Sequence, residues 1–193
     1  LCSAEVNDEL DRFPALSGVR HIVQAEPEGF LLREDFARGI RALTARDLPY
    51  DILIYRGQLP EAVSFVDRHP TQRFVLDHLA KPAIASGEIE PWAKELRRLA
   101  ERANVWLKVS GLVSEARWDG WQPRDLEPYL DLAFEAFGAE RILFGSDHPV
   151  CRVAASYERV LRVATDFVAT LSEHEQSLVL ADNAISFYEL ASL

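Results

Sequence analysis

The strongest constraint on this chain is an alternation. Short β-branched and apolar runs at Val19–Gln24, Tyr50–Tyr55, Arg73–His78, Val105–Ser110 and Arg141–Gly145 are separated by segments with apolar residues at helical spacing. Those segments carry Phe36, Ile40 and Leu43; Leu59, Val63 and Val66; Trp92, Leu96 and Leu99; and Leu126, Leu130 and Phe134. Strand-like runs alternating with amphipathic periods of 3.6 predict βα units, parallel strands and one helix in each gap. Punctuation agrees. Pro60, Pro91 and Pro123 stand where a first-turn proline is tolerated, because its missing N–H would be unpaired there anyway. Ser172 and Glu175 make a capping box that opens a last helix running toward Leu190, and Val6, Leu10 and Phe13 share one face of an opening helix from Ala4 to Phe13.

Five βα units fit two architectures, a doubly wound open sheet or part of a closed (β/α)8 barrel of about 250 residues. The length of 193 residues favours the open sheet. Against it, the sequence has no glycine-rich phosphate loop, and chemistry gathers at the strand ends. A single domain over residues 1–193 is expected.

Composition narrows the function. A net charge of −10, with Lys and Arg scattered along the chain, argues against nucleic acid and anionic membranes as partners. Cys2 and Cys151 lie far apart with no C-x-x-C spacing, which argues against a disulfide framework or zinc knuckle and fits a reducing cytoplasm. No apolar run is long enough to span a bilayer. The chain has no Met, even at position 1, and its Leu-Cys-Ser opening reads as the start of a fragment.

Active sites of parallel α/β proteins lie at the C-terminal ends of the strands. The residues there are Arg20, His21 and Gln24; Tyr55 and Arg56; Asp77, His78 and Lys81; Lys108 and Ser110; and Ser146, Asp147 and His148. Strand alternation groups His78 with Phe74 and Leu76, and would point it into a barrel as a metal ligand or carbonyl polariser; a histidine bonded within the turn is the plainer reading. Lys81 reads by default as a solvated charge. Asp147 closes a Gly-Ser-Asp turn, either as a turn cap or as metal ligand and general base. Adjacent side chains diverge, so Asp147 and His148 do not form a dyad. The loop from Gly111 to Trp121 carries two indoles, Trp118 and Trp121, which either stack on a substrate or pack the following helix.

Four ordered segments carry a resemblance: Gly18-Val19-Arg20-His21, Phe74 to Pro82 (FVLDHLAKP), Val105 to Leu112 (VWLKVSGL) and Phe144 to Val150 (FGSDHPV). Together with Asn183-Ala184 and Phe187-Tyr188, they resemble the amidohydrolase-2 type of metal-dependent hydrolase. Within it the chain is most similar to the sugar-lactonase branch that opens L-fuconolactone and L-rhamnonolactone. The resemblance implies a (β/α)8 TIM barrel in which a His-x-His pair on the first strand, a later histidine and an aspartate closing the eighth strand surround the reacting water. By motif, the later histidine is His78 and the aspartate is Asp147; both become catalytic residues and metal ligands. Arg20 and His21 match a pair lining the substrate pocket, and Lys81, Trp118, Trp121 and His148 become further substrate contacts. No His-x-His occurs among the five histidines, and His148 stands where that branch carries Trp. Counting back from Asp147, the chain holds strands four to eight.

The implied reaction is attack of water, deprotonated by Asp147, on the carbonyl of a sugar aldonolactone. Its implied cofactor is a divalent metal, zinc foremost, or none, since some relatives work without one. Two rivals remain: a metal-dependent decarboxylase on the same fold, and a truncated non-enzymatic product. For the second, exposed strand edges would lead to aggregation, rearrangement or pairing with a second copy as a homo-oligomer.

Overall fold

A computed structural model describes residues 8, 10–13 and 15–190. Its sheet has five parallel strands in the spatial order β1-β2-β3-β4-β5: β1 Val19–Ile22, β2 Tyr50–Leu53, β3 Phe74–Leu76, β4 Val105–Val109 and β5 Ile142–Phe144. Each strand lies beside its sequence neighbour. A doubly wound sheet reverses strand order at a switch point, whereas a barrel does not, so the order alone selects the barrel. The two faces agree. Val19, Tyr50, Phe74 and Val105 are partners across the sheet and pack into one large core with the helices. Arg20, Asp51, Val75 and Trp106 are partners on the opposite face, where Val75 and Leu143 pack against Phe187, Ala184 and Tyr188. The helices that connect successive strands pack on the first face, while the second carries the buried charges and the C-terminal segment and forms the interior side of a barrel wall.

The connecting helices are α1 Glu34–Thr44, α2 Leu59–Asp67, α3 Trp92–Ala100, α4 Leu112–Glu115, α5 Pro123–Phe137, α6 Tyr157–Val168, α7 Glu173–Ser177 and α8 Asn183–Phe187. The apolar residues expected at helical spacing are buried on α1, α2 and α3, as are Leu126 and Leu130 on α5. Pro60 and Pro123 lie in first turns, while Pro91 sits one position earlier, at the N-cap of α3. The Ser172–Glu175 capping box forms.

Three expectations change. The gap between β4 and β5 holds two helices, because the left-handed Gly111 (φ +69°) starts the single turn α4 before α5 begins. The last helix is interrupted by a π-helical turn at Leu178–Asp182. Strands β1 and β3 end early, their last expected residues turning into 3-10 geometry at Val23–Ala25 and Asp77–Ala80. Of the expected opening helix, residues 8 and 10–12 are helical and Phe13 is not; its remaining residues, like Cys2, lie outside the described residues. Cys151 is buried as a free thiol. Among the described residues no helix is long and apolar enough to cross a membrane.

Candidate active site

The site forms where β3, β4 and β5 end. Beyond Leu76 the chain takes an unusual turn: His78, Leu79, Ala80 and Lys81 all have φ between 53° and 56°. Left-handed geometry costs an L-residue roughly 1–2 kcal/mol, so these four together store several kcal/mol. Such strain persists only where surroundings over-determine it, and here they do. The buried Trp92 indole donates to the Leu79 carbonyl at 2.7 Å, and the Lys81 amide donates to the His78 carbonyl at 2.8 Å. Lys81 is no solvated charge, because its ammonium meets Glu115 at 2.6 Å with both side chains largely buried.

The turn, and not strand alternation, decides where His78 points. The strand face shared by Phe74 and Leu76 packs against the helices, so simple alternation would have buried the imidazole there. Left-handed backbone swings it across to β5 instead. His78 Nε2 lies 3.6 Å from Asp147 Oδ1, with the two side chains only 11% and 10% exposed. Each is fixed from behind by α4 or its approach. Ser110 Oγ is 2.7 Å from His78 Nδ1, and the Ser114 hydroxyl donates to Asp147 Oδ2 at 3.1 Å. Asp147 is itself left-handed (φ 56°), which lifts its carboxylate out of strand alternation. Burial pushes the His78 pKa down; the Asp77 and Asp147 carboxylates oppose this, and the Lys81 and Lys108 ammoniums reinforce it.

On the interior face stands a second group. Asp77 is 0% exposed and holds Arg20 Nη1 at 3.0 Å and Lys108 Nζ at 2.7 Å. Lys108 also contacts Asp51 Oδ2 at 2.8 Å, and the Tyr188 hydroxyl lies 2.8 Å from both Asp51 oxygens. Burial works against the Lys108 ammonium, yet the two carboxylates outweigh it and raise its pKa. Burial raises the pKa of Asp51, as does Asp77 nearby, while Lys108 pulls it back. The hydrogen bond to Asp77 raises that of Arg20, whose side chain is 49% exposed and reaches the interior surface.

The other expected site residues scatter. His21 lies on the helix-facing side of β1, its Nε2 2.7 Å from Glu26 and its ring stacked on Phe30, so it does not line a pocket with Arg20. Trp121 is 2% exposed, bonded to the Ala154 carbonyl and covered by the Arg159 guanidinium at 3.9 Å; it is a core residue and not a stacking platform. Trp118 is 60% exposed with its indole held by the Ser114 carbonyl, free to meet a ligand. His148 is exposed, edge-on to Tyr157. Ser114, Glu115 and Asp51 join the site without a motif that marks them, and Tyr188 enters it from the C-terminal segment. Among these, Asp51, a charge set inside an otherwise apolar parallel strand, carries a readable signal, since it demands a partner.

Two ligands at 2.0–2.1 Å from one tetrahedral ion stand about 3.3 Å apart, so the His78–Asp147 spacing suits two neighbouring members of a metal shell. No group of three or more His, Cys, Asp or Glu able to hold an ion occurs among the described residues.

The family model described as Amidohydrolase matches residues 3–190. The chain is 41% identical over 187 residues to an L-fucono-1,5-lactonase of Burkholderia multivorans, covering 91% of this chain and 63% of that protein. A second L-fucono-1,5-lactonase, of Burkholderia ambifaria, is 38% identical over 151 residues, covering 77% and 51%. A crystal structure of a Burkholderia multivorans amidohydrolase with bound zinc superposes with a TM-score of 0.92 at 38% identity, covering 98% of this chain and 70% of that one. The chain thus spans less than two thirds of the length of these curated relatives. The ordered strands, the strand-end carboxylate and imidazole, and the match over nearly every residue agree that this chain belongs to the amidohydrolase family.

Proposed function

We propose that the protein hydrolyses a sugar aldonolactone, with Asp147 and His78 as catalytic residues. The observation that carries this reading is their convergence from two strand ends to 3.6 Å, each oriented by its own serine. A divalent metal such as zinc, when bound, supplies Lewis-acid polarisation of the lactone carbonyl and acidifies water. His78 Nε2 and Asp147 Oδ1 would hold it as two members of a larger set.

Asp147, oriented by the Ser114 hydroxyl on Oδ2, accepts the proton of the attacking water. His78, kept neutral by burial, offers Nε2 as a ligand when Nδ1–H donates to Ser110; in the other tautomer it donates to the carbonyl oxygen. Arg20, tethered at one nitrogen by Asp77, has the rest of its guanidinium available to substrate oxygens, and Trp118 offers an apolar face to the sugar ring. The ring C–O bond breaks as the tetrahedral adduct collapses, Asp147 returns its proton to the departing ring oxygen, and the resulting hydroxy acid ionises to release one proton.

The test is a pH-indicator assay of the full gene product on aldonolactones, L-fucono-1,5-lactone first. One proton per lactone opened, lost in Asp147→Asn and His78→Asn, is expected. Carbon dioxide evolution from aromatic acids without proton release from any lactone would replace this reading with decarboxylation.

A further inference from the structure

The buried charges on the interior face join the C-terminal segment to the turn that carries His78. Val75 and Trp106 are register partners, which brings Asp77 and Lys108, each two residues further along, to the same level. Arg20 and Asp51 are partners one layer away. Contacts of 2.7–3.0 Å then run Arg20–Asp77–Lys108–Asp51–Tyr188, alternating cation and carboxylate and ending on a hydroxyl. Tyr188 is fixed in turn: its ring lies 5.5 Å from the Lys108 ammonium, and its edge sits where a Cβ on Gly18 would come within 3.2 Å.

We propose that Lys108, Asp51 and Tyr188 are positioning residues that lock Asp77 and so hold the left-handed turn of His78 in its site geometry. A strained turn relaxes unless anchored at both ends. Its far end is held by Trp92 on the Leu79 carbonyl and by Glu115 on Lys81. At its near end the anchor is Asp77, whose carboxylate is flanked by Arg20 and Lys108. Arg20 is half exposed and donates to Oδ2, while the more buried Lys108 ammonium pairs with Oδ1 as an ionic contact at 2.7 Å, so the better shielded of the two restraints passes through Lys108. Apolar residues of similar size would fill the interior as stably as an ion-paired chain does; what the charges add is a fixed direction for each side chain. Inward-pointing Lys108 and Asp51 therefore set where the backbone leaves β3. The inference rests on His78 belonging to the site proposed above.

The test reads the turn directly, in the 15N-labelled chain. The Trp92 indole N–H, bonded to Leu79, and the Lys81 amide, bonded to His78, report the turn; Ala133 and Phe137 amides of α5 report the remaining core. In Lys108→Met both turn reporters should exchange at least tenfold faster and the His78 ring resonances should shift, with α5 unchanged. Tyr188→Phe should act in the same direction to a smaller degree, and Lys108→Arg should restore protection. Unchanged turn reporters, or acceleration only in step with α5, would overturn the proposal; if Lys108→Met does not fold, Tyr188→Phe decides alone. An exchange response in a protein that opens no lactone would sink the proposed reaction and leave the positioning role standing. Lactonase activity with no exchange response would do the reverse. In an active enzyme, Lys108→Met should lower kcat with KM held.

Discussion

Ser110 and Ser114 lie on one short segment and restrain opposite members of the His78–Asp147 pair, so a double-mutant cycle measures whether that pair acts as a unit. Ser110→Ala removes a 2.7 Å bond at a residue that is itself buried and leaves His78 Nδ1 without a partner. A stranded polar group of this kind costs about 1–3 kcal/mol, and little water can reach it, so we expect about 2 kcal/mol. Ser114→Ala removes a longer bond, 3.1 Å, from a serine less buried than Ser110; about 1 kcal/mol is expected. If the two side chains hold each other across 3.6 Å, loosening one makes the other's restraint less valuable. The double variant should then fall short of the sum by at least about 0.5 kcal/mol. Urea unfolding at pH 7.5 with unchanged m-values gives the four free energies. Additivity within about 0.3 kcal/mol would mean that the imidazole and carboxylate are independent and that their proximity does no shared work. A cost below about 0.5 kcal/mol for Ser110→Ala would show that the ring finds another partner, and would refute the serine's orienting role.

Because the folded state depresses the His78 pKa, its contribution to stability is present above the ordinary histidine value near 6.5 and is lost as pH falls through the lower folded value. Chemical unfolding from pH 8 to 4 should show this acid limb, and His78→Gln should flatten it. The two loop indoles should separate cleanly. Trp121→Ala should cost about 3–5 kcal/mol by thermal or urea melts, whereas Trp118→Ala should stay within about 0.5 kcal/mol yet raise KM for a lactone. Gly111→Ala should destabilise by about 1–2 kcal/mol for the backbone alone, since φ is +69°. Its new Cβ would stand 3.1 Å from that of His78, so activity should fall further than stability accounts for; equal activity at reduced stability would argue against a tight seat for the ring.

How much of this site was readable from the sequence follows from which forces are local. The strands and helices were legible because hydrophobic period is a property of neighbours in sequence, and Val105 to Val109 shows one strand with both faces apolar except Lys108. Asp147 and His78 were legible as motifs, but the route by which they meet was not. Alternation places His78 on the helix side, and nothing in Asp77-His78-Leu79-Ala80-Lys81 announces four left-handed residues without a glycine among them. That geometry is imposed from outside the segment, by Trp92, Glu115, Arg20 and Lys108, contacts that are tertiary and therefore invisible to any local window. Trp121 and His21 failed for the complementary reason: their types suit a binding site, but their partners Ala154, Arg159, Glu26 and Phe30 decide otherwise.

The charged positions lay between these cases, and they show where reading can be pushed further. A lysine in the middle of a buried parallel strand cannot be left unpaired, and an aspartate inside Tyr50–Leu53 cannot either. Register alone then restricts their partners, since only residues of matching parity on neighbouring strands share the interior face. In this chain the register groups Arg20, Asp51, Asp77 and Lys108 on that face, two of each sign. What it does not supply is Tyr188, which reaches Asp51 from the far end of the chain. The network is thus half a consequence of strand parity and half of how the C-terminal segment returns beneath the sheet, and the second half is the part that links that segment to the placement of His78.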